Sequence, residues 1–227
     1  MQNRDSVTFD VAVTVSSRGL PLAVAVAALA LVGCAEAVLH SQTLTSVDVW
    51  LRGALRLSAA HTASWWAAKT VSMGGQRGVT APAVMGAAIL VARRRATLRP
   101  VIACASVLLL LAVTGWLLKH GVRRLAPRSG QLAVHRAGAS WPSGHAANAV
   151  VSGALLLWLE RARTTPWSES TNHKALGIYL ALVLLIGLST LWLDYHWASD
   201  VLGGWLLGAM IVGISRLVAP PPWRRHF

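Results

Sequence analysis

Long apolar runs constrain the fold of this chain more than any other feature of its sequence. A bilayer core is about 30 Å thick, and roughly 20 apolar residues of helix are needed to cross it. The run over residues 20–39 supplies that length and contains Glu36 as its single charge. Each such run predicts a membrane-spanning helix. Further runs of this kind occupy residues 100–118, 146–159, 175–193 and 201–218.

The segment over residues 61–92 is less uniform. Lys69 and the glycine-rich stretch 74–78 interrupt it before the apolar run 79–92. We interpret the segment as a short helix, a glycine break and one crossing, which brings the count to about six spans. Residues 48–57 mix Trp and Arg with apolar residues, which predicts an amphipathic helix at the membrane interface. The predicted fold is an all-α membrane protein, a bundle of about six transmembrane helices.

The composition limits the classes of protein to which this chain can belong. Its residues are 55% hydrophobic and its mean hydropathy is +0.53, which excludes a disordered chain. Cys34 and Cys104 are the only cysteines, too few for a disulfide scaffold. The formal charge is +13, but the cations punctuate apolar runs instead of forming a basic face. We therefore expect membrane lipids as neighbours and no nucleic-acid partner.

Two short patterns at the first span offer alternatives to an uncleaved helix. Arg4 and Arg18 precede the apolar run, and residues 35–37 read Ala-Glu-Ala, which resembles a signal-peptidase site. Residues 31–34 read Leu-Val-Gly-Cys and resemble a lipoprotein box. Small-residue patterns of this kind are frequent in alanine-rich runs, so the uncleaved span is the favoured interpretation. The mass of the mature protein distinguishes the three.

Charge distribution predicts the orientation of the bundle. Six spans place both termini on one side, and the positive-inside rule assigns the more basic side to the cytoplasm. The more basic side carries twelve cations: Arg4, Arg18, Arg93, Arg94, Arg95, Arg99, Arg161, Arg163, Lys174, Arg216, Arg224 and Arg225. The opposite side carries nine: Arg52, Arg56, Lys69, Arg77, Lys119, Arg123, Arg124, Arg128 and Arg136. We therefore predict a cytoplasmic N-terminal segment 1–19, a single transmembrane domain 20–218 and a cytoplasmic basic tail 219–227.

Five of the extracytoplasmic cations lie between Lys119 and Arg136, where the positive-inside rule would deplete them. This excess suggests a functional reason for the charge, because topology does not require it. The loop that carries these cations leads into the sequence Trp-Pro-Ser-Gly-His over residues 141–145. A later turn, residues 194–200, returns to the same membrane depth. We predict that the three segments form one site at the extracytoplasmic interface.

Residue types at the two helix starts fit phosphate chemistry. Ser143 and Gly144 expose backbone N–H groups at the positive end of a helix dipole, which favours an anion, and His145 lies in the same turn. His196 and Asp200 are four residues apart and share a helix face, so the carboxylate can orient the imidazole. The alternatives are a plain helix N-cap at Ser143 and a structural His–Asp hydrogen bond. For the basic loop, the alternative is contact with anionic lipid head groups.

At these residues the sequence resembles the type 2 phosphatidic acid phosphatase superfamily, whose pattern is K-x6-R-P, then P-S-G-H, then S-R-x5-H-x3-D. Residues 142–145 match the second block completely. The matches in the first and third blocks are Lys119, Pro127, Ser189, His196 and Asp200. The resemblance covers about residues 100–218. Ala126 and Thr190 stand where the family has arginines that bind phosphate.

The resemblance implies a phosphatase that works without a metal or other cofactor. His196 is expected to be the nucleophile, Asp200 to hold its ring, and His145 to act as acid and base. Phosphate binding is expected from Ser143, Gly144, Lys119 and Arg124, with Arg123, Arg128 and the hydroxyl of Thr190 as further candidates. Arg124 is preferred because relatives written R-x-R-P carry an additional arginine at that position.

The expected substrate is an amphiphilic lipid phosphate, such as phosphatidic acid, phosphatidylglycerol phosphate or a polyprenyl diphosphate like undecaprenyl diphosphate. The Arg- and Ala-rich composition is typical of a GC-rich bacterium, so we expect a plasma-membrane protein. A phosphotransferase with an alcohol acceptor and a degenerate lipid-phosphate-binding protein remain alternatives. Gly204 and Gly208 form a small-xxx-small pattern, which indicates close helix packing within the bundle or in a homodimer.

Overall fold

The computed structural model describes residues 19–55, 62–131, 133–136, 138–163 and 167–218, and these form helices joined by connections, of which the α5–α6 connection is the longest described. The all-α architecture predicted from the sequence is confirmed. The predicted segment 1–19, apart from Gly19, and the tail 219–227 lie outside the described residues, as does Arg56. The helices are α1 (Leu20–His40), α2 (Gln42–Leu55), α3 (Ala63–Met73), α4 (Arg77–Arg95), α5 (Arg99–Val122), α6 (Gly144–Arg163), α7 (Glu169–Trp192) and α8 (Ala198–Val218).

Four of the described helices, α1, α5, α7 and α8, are each long and apolar enough to cross a bilayer. Helices α4 and α6 have comparable lengths, 19 and 20 residues, but are less apolar. Helix α6 packs against α4, α5, α7 and α8, and eleven of its residues are buried. Its polar side chains, Asn148 and Ser152, therefore face protein instead of lipid. A central helix needs less apolarity than a lipid-facing one, which explains why the run 146–159 is shorter than the others.

Close packing between α6 and α8 sets the distance between the two predicted site segments. A Cβ atom on Gly204 would lie 2.5 Å from the carbonyl oxygen of Ser143, and one on Gly208 would lie 2.6 Å from the Cβ of Val150. Both positions therefore require glycine, because any side chain would push the helices apart. The small-xxx-small pattern packs within one chain, so it is not available as a dimer surface.

The glycine break predicted between the short helix and the crossing is confirmed as a tight turn between α3 and α4. A Cβ atom on Gly75 would lie 2.5 Å from the carbonyl oxygen of His145. The Asn148 side-chain amide donates a hydrogen bond of 3.1 Å to the Gly75 carbonyl. The α3–α4 turn is therefore held against the start of α6, which brings α3 next to the predicted site.

Helix α2 covers most of the segment predicted to be amphipathic. Its two faces differ, because Trp50 is 69% exposed whereas Asp48 is buried at 1% exposure. Arg52, one turn after Asp48, donates two hydrogen bonds of 2.7 Å to the carboxylate of Asp194 in the α7–α8 turn. This hydrogen-bonded carboxylate raises the pKa of Arg52 above its usual value. Helix α2 is thus anchored to the polypeptide that precedes α8.

Candidate active site

The starts of α6 and α8 lie side by side and bring the two predicted histidines together. The Ser143 N–H donates a hydrogen bond of 2.8 Å to the carbonyl of Asp200. The rings of His145 and His196 have their centroids 6.0 Å apart and meet edge to face, at 64°. The convergence of the loop before α6, the start of α6 and the α7–α8 turn is as the sequence predicts.

His196 and Asp200 lie on the same side of the α8 start, but a third residue joins them. The His196 Nδ1 is 3.6 Å from Asp200 Oδ2, which is beyond hydrogen-bond distance. Ser140 Oγ lies 3.3 Å from that Nδ1 and donates a short hydrogen bond to Asp200 Oδ2. Asp200 Oδ2 also accepts the Trp197 N–H at 2.9 Å. With Nδ1 turned toward Ser140 and Asp200, Nε2 is the nitrogen of His196 available for chemistry.

Arg124 occupies a different place from the phosphate clamp predicted from the sequence. It is 2% exposed, and its Nη1 donates to Asp200 Oδ1 at 2.8 Å and to Ser199 Oγ at 2.7 Å. Its Nη2 donates to Asp48 Oδ2 at 2.6 Å. Both terminal nitrogens are thus bound to carboxylates, and Arg124 holds Asp200 instead of facing the histidines. A buried guanidinium of this kind needs such partners.

Backbone geometry explains the inward direction of Arg124. Helix α5 ends at Val122, and the next residue, Arg123, adopts a left-handed conformation with φ of 49°. The chain turns there, and Gly138 packs so closely on the Arg124 backbone that a Cβ atom on Gly138 would lie 2.1 Å from the Arg124 carbonyl oxygen. Arg123 itself is exposed at the turn. A left-handed conformation at an arginine leaves no clear sequence signal, so the direction of the next side chain was not predictable.

Asp48 completes this buried network from α2. Its Oδ1 accepts the Ser199 N–H at 3.0 Å, and its Oδ2 accepts the Ser199 hydroxyl at 2.5 Å. Asp48 and Asp200 are separated by more than 150 positions in the chain, yet they share Arg124 and Ser199. No local spacing links Asp48 to the site, so the sequence placed it only in an interfacial helix. Ser140 was not predicted either, because no local spacing links it to His196 and Asp200.

At the start of α6, the two predicted phosphate-binding residues differ, because the Ser143 N–H already donates to the Asp200 carbonyl. Ser143 is buried, and its hydroxyl accepts the Ala146 N–H at 3.3 Å as a helix cap. Gly144 is the first residue of α6, where backbone N–H groups lack intrahelical acceptors. Lys119 is half-buried at the end of α5 and donates a short hydrogen bond to the Ala139 carbonyl.

Thr190 is not placed as a phosphate ligand. Its side chain is fully buried, and its hydroxyl donates a hydrogen bond of 2.7 Å to the Gly187 carbonyl of its own helix. A threonine hydroxyl in a helix commonly bonds to the preceding turn, and this contact satisfies it. The position that the resemblance assigns to an arginine therefore contributes no positive charge to the site.

Two further residues that the sequence did not assign to the site lie beside His145. The Tyr195 ring centroid is 6.3 Å from that of His145. Lys69, from α3, donates a hydrogen bond of 2.8 Å to the Tyr195 hydroxyl. The sequence marked Lys69 only as an interruption of an apolar run, although an unexplained cation in such a run is itself a signal. Arg128 also contacts Tyr195, with its guanidinium carbon 4.0 Å from the ring centroid.

Comparison with known proteins agrees with this arrangement. The family model of the PAP2 superfamily matches residues 99–223, which is more than half of the chain. The chain belongs to the PAP2 superfamily. The matched region contains both histidines, Asp200 and the basic loop, so the resemblance inferred from the sequence motifs is confirmed.

One sequence match and one structural match, both from Bacillus subtilis, are similar to this chain. Phosphatidylglycerophosphatase B of Bacillus subtilis (strain 168) is 31% identical over 96 residues, which cover 41% of this chain and 45% of that protein. The match therefore spans less than half the length of this relative. The crystal structure of the first transmembrane PAP2 type phosphatidylglycerolphosphate phosphatase from Bacillus subtilis has a TM-score of 0.72 at 20% identity. It covers 87% of this chain and 98% of that one, which supports the transmembrane all-α fold.

Proposed function

We propose that this protein is an integral membrane phosphatase that hydrolyses the phosphomonoester or diphosphate of a lipid through a phosphohistidine intermediate. The observation that carries the proposal is the pair of imidazoles at 6.0 Å between centroids, one of them oriented by a buried carboxylate. Reacting groups approach to about 3 to 3.5 Å before bond formation, so a phosphoryl group between the rings can contact both. Membership of the PAP2 superfamily supports the same chemistry.

The proposed first step is attack by His196 Nε2 on phosphorus. The bond between phosphorus and the bridging oxygen breaks, and His145 gives its proton to that oxygen. The leaving group is the lipid alcohol of a phosphomonoester or the lipid monophosphate of a diphosphate. In the second step, His145 takes a proton from water, and the hydroxide attacks the phosphohistidine. Phosphate departs and His196 is regenerated. Asp200 and Ser140 hold the His196 ring with Nε2 forward throughout, and no step needs a metal.

Positive charge and backbone N–H groups around the histidines would stabilise the phosphoryl oxygens. We assign this role to the Lys119 ammonium, to the Ser143 hydroxyl and to the Gly144 N–H. Arg124 is assigned a different role from the one expected from the sequence. Because it binds Asp200 directly, it keeps that carboxylate charged and fixed behind His196.

The substrate class follows from where the site lies in the bundle. The candidate site is at the ends of helices whose outer surfaces are apolar, so a phosphate head can reach the histidines while acyl or prenyl chains remain in the lipid. Phosphatidic acid, phosphatidylglycerol phosphate and polyprenyl diphosphates share this form. We further propose a bacterial plasma-membrane location with both termini cytoplasmic and the site extracytoplasmic, on the strength of the charge distribution.

Release of phosphate by the purified full-length protein tests the proposal. Vesicles or micelles would contain phosphatidic acid, phosphatidylglycerol phosphate or undecaprenyl diphosphate, with His196→Ala as the inactive control. We expect free phosphate from at least one lipid with the unaltered protein and none above background with His196→Ala. Equal release by both proteins would contradict the nucleophile assignment. Transfer of label to an added alcohol without free phosphate would favour the transferase alternative.

A further inference from the structure

Two cations next to the candidate site have no part in the mechanism above. Lys69 lies in α3, and Arg128 lies in the 3₁₀ turn Pro127–Ser129 of the basic loop. The two segments are distant in sequence, but both side chains meet the ring of Tyr195 in the α7–α8 turn. Tyr195 directly precedes the proposed nucleophile His196 in the chain, so its ring holds the two cations close to the candidate site.

The geometry fixes both cations on a single aromatic side chain. The Lys69 Nζ donates a hydrogen bond of 2.8 Å to the Tyr195 hydroxyl and lies 5.0 Å from the ring centroid. The guanidinium carbon of Arg128 lies 4.0 Å from the same centroid, and its Nη2 donates to the Leu193 carbonyl at 3.0 Å. Cation–π contacts of this kind hold a cation in place without neutralising its charge.

The partners of these two cations differ from those of the neighbouring arginines. Arg52 is paired with Asp194, and Arg124 is paired with Asp48 and Asp200. The hydrogen bonds and ring contacts that the structure gives Lys69 and Arg128 lead to a phenol, a carbonyl and a ring, none of which carries a negative charge. Among the described residues, the hydrogen bonds and ring contacts of these two cations therefore leave both positive charges without a carboxylate partner.

Tyr195 links both cations to the histidine pair. The centroid of the Tyr195 ring is 6.3 Å from that of the His145 ring, and Lys69 is bound to the Tyr195 hydroxyl. The position is also where the site needs charge, because Ala126 and Thr190 supply none. A phosphoryl group in transfer spreads negative charge over its oxygens, and lysine and arginine side chains stabilise it best when fixed in advance.

We propose that Lys69 and Arg128, held on Tyr195, are phosphate-binding residues of the active site and bind the phosphate head of the lipid substrate. This inference rests on the proposed function and deepens it. The pair supplies the positive charge that positions 126 and 190 lack. Lys69 supplies it from α3, and Arg128 supplies it from the turn Pro127–Ser129. The other interpretation of Lys69 is a structural tie between α3 and the α7–α8 turn, and the experiment below separates the two.

The test measures phosphate binding and turnover in matched variants. Lys69→Gln and Arg128→Gln remove each charge, Lys69→Arg conserves it, and Arg136→Gln removes an exposed charge from the same loop as a control. Kinetics use a short-chain soluble phosphatidic acid, with inorganic phosphate as the competing product. A hydrogen bond between charged groups contributes enough that its loss weakens binding about 10- to 100-fold.

We expect KM and the inhibition constant of inorganic phosphate to rise by about that factor in Lys69→Gln and Arg128→Gln. Lys69→Arg is expected to stay within a few-fold of the unaltered protein, and Arg136→Gln to be unchanged. An unchanged inhibition constant of inorganic phosphate in both Lys69→Gln and Arg128→Gln would overturn the proposal. So would an equal loss in Lys69→Arg and Lys69→Gln at unchanged thermal stability, because that pattern indicates a specific lysine contact instead of charge.

Binding in an inactive background separates this inference from the proposed function. In His196→Ala, the affinity for inorganic phosphate is measured by calorimetry with no turnover, alone and combined with Lys69→Gln or Arg128→Gln. Weaker binding in the combined variants supports the phosphate-binding pair independently of catalysis. If the unaltered protein hydrolyses lipid phosphates but the combined variants bind phosphate normally, the proposed function stands and this inference fails. If no lipid phosphate is hydrolysed, the proposed function fails first.

Discussion

Replacement of Arg124 by glutamine distinguishes the structural assignment of this residue from the clamp predicted by the sequence. The guanidinium is 2% exposed and holds two carboxylates, Asp48 at 2.6 Å and Asp200 at 2.8 Å. Arg124→Gln leaves two negative charges close together and away from water. If Arg124 instead clamped the substrate phosphate, its loss would raise KM without affecting the stability of the fold.

The magnitude follows from the burial of this network. Two unit charges at about 4 Å interact by about 4 kcal/mol at the effective dielectric of protein sites. Removal of one partner from a buried ion pair costs about 3–5 kcal/mol, because the remaining charge is left uncompensated. For a chain of this size, each kcal/mol corresponds to about 2–4 °C in Tm, which predicts a fall of about 6–20 °C. Arg52→Gln, which breaks a partly exposed pair, is the matched control and should cost about 1 kcal/mol.

The assay combines thermal unfolding of the detergent-purified protein with steady-state kinetics. For Arg124→Gln we expect the large fall in Tm together with a loss in kcat, because Asp200 is no longer fixed behind His196. Adding Asp48→Asn removes one of the two unpaired carboxylates and should restore part of the stability, which a double-mutant cycle measures. A Tm within the error of the unaltered protein, combined with a raised KM and unchanged kcat, would refute this assignment.

Two further predictions concern the parts that hold His196 and the helix pair. Ser140→Ala removes the hydroxyl that joins Asp200 to the His196 ring, so kcat should fall about 10- to 100-fold at unchanged KM. Ser215→Ala, near the opposite end of α8, is the unaffected control. A raised KM instead would place Ser140 on the substrate. Gly204→Ala should destabilise the protein by about 1–3 kcal/mol because its Cβ meets the Ser143 carbonyl. Gly86→Ala, where nothing lies within 4 Å, should be neutral or stabilising, and equal unfolding temperatures for the two would contradict the packing argument.

Short-range patterns in the sequence predicted the parts of the site that are local in the chain. The spacing of His196 and Asp200 and the sequence of residues 142–145 were sufficient to place both helix starts, because helix periodicity and capping depend on neighbours in sequence. Membrane-spanning runs predicted the helices themselves with similar success. The polar central helix α6 was harder, since its surroundings are protein and its apolar run is shorter.

Contacts between distant segments were beyond such reasoning. Asp48 and Lys69 reach the site from α2 and α3, and only the packing of those helices reveals them. Arg124 was expected to face the phosphate because its position in the motif is near that of the family arginine. The left-handed turn at Arg123 sends it to Asp200 instead. The Thr190 hydroxyl likewise bonds to the carbonyl of Gly187 in its own helix. The identity of a single motif position does not predict the direction of its side chain.

Direct trapping of the phosphorylated protein tests the proposal that His196 forms a phosphohistidine. The protein would be mixed with radiolabelled p-nitrophenyl phosphate, whose leaving group departs without a proton, and quenched in alkali, in which phosphohistidine survives. His145→Ala should accumulate label because activation of water is lost while attack by His196 continues. We expect peptide mapping to place the label on His196, and we expect His196→Ala to carry no label. Label on another residue, or phosphate release that persists in His196→Ala, would contradict a phosphohistidine at His196.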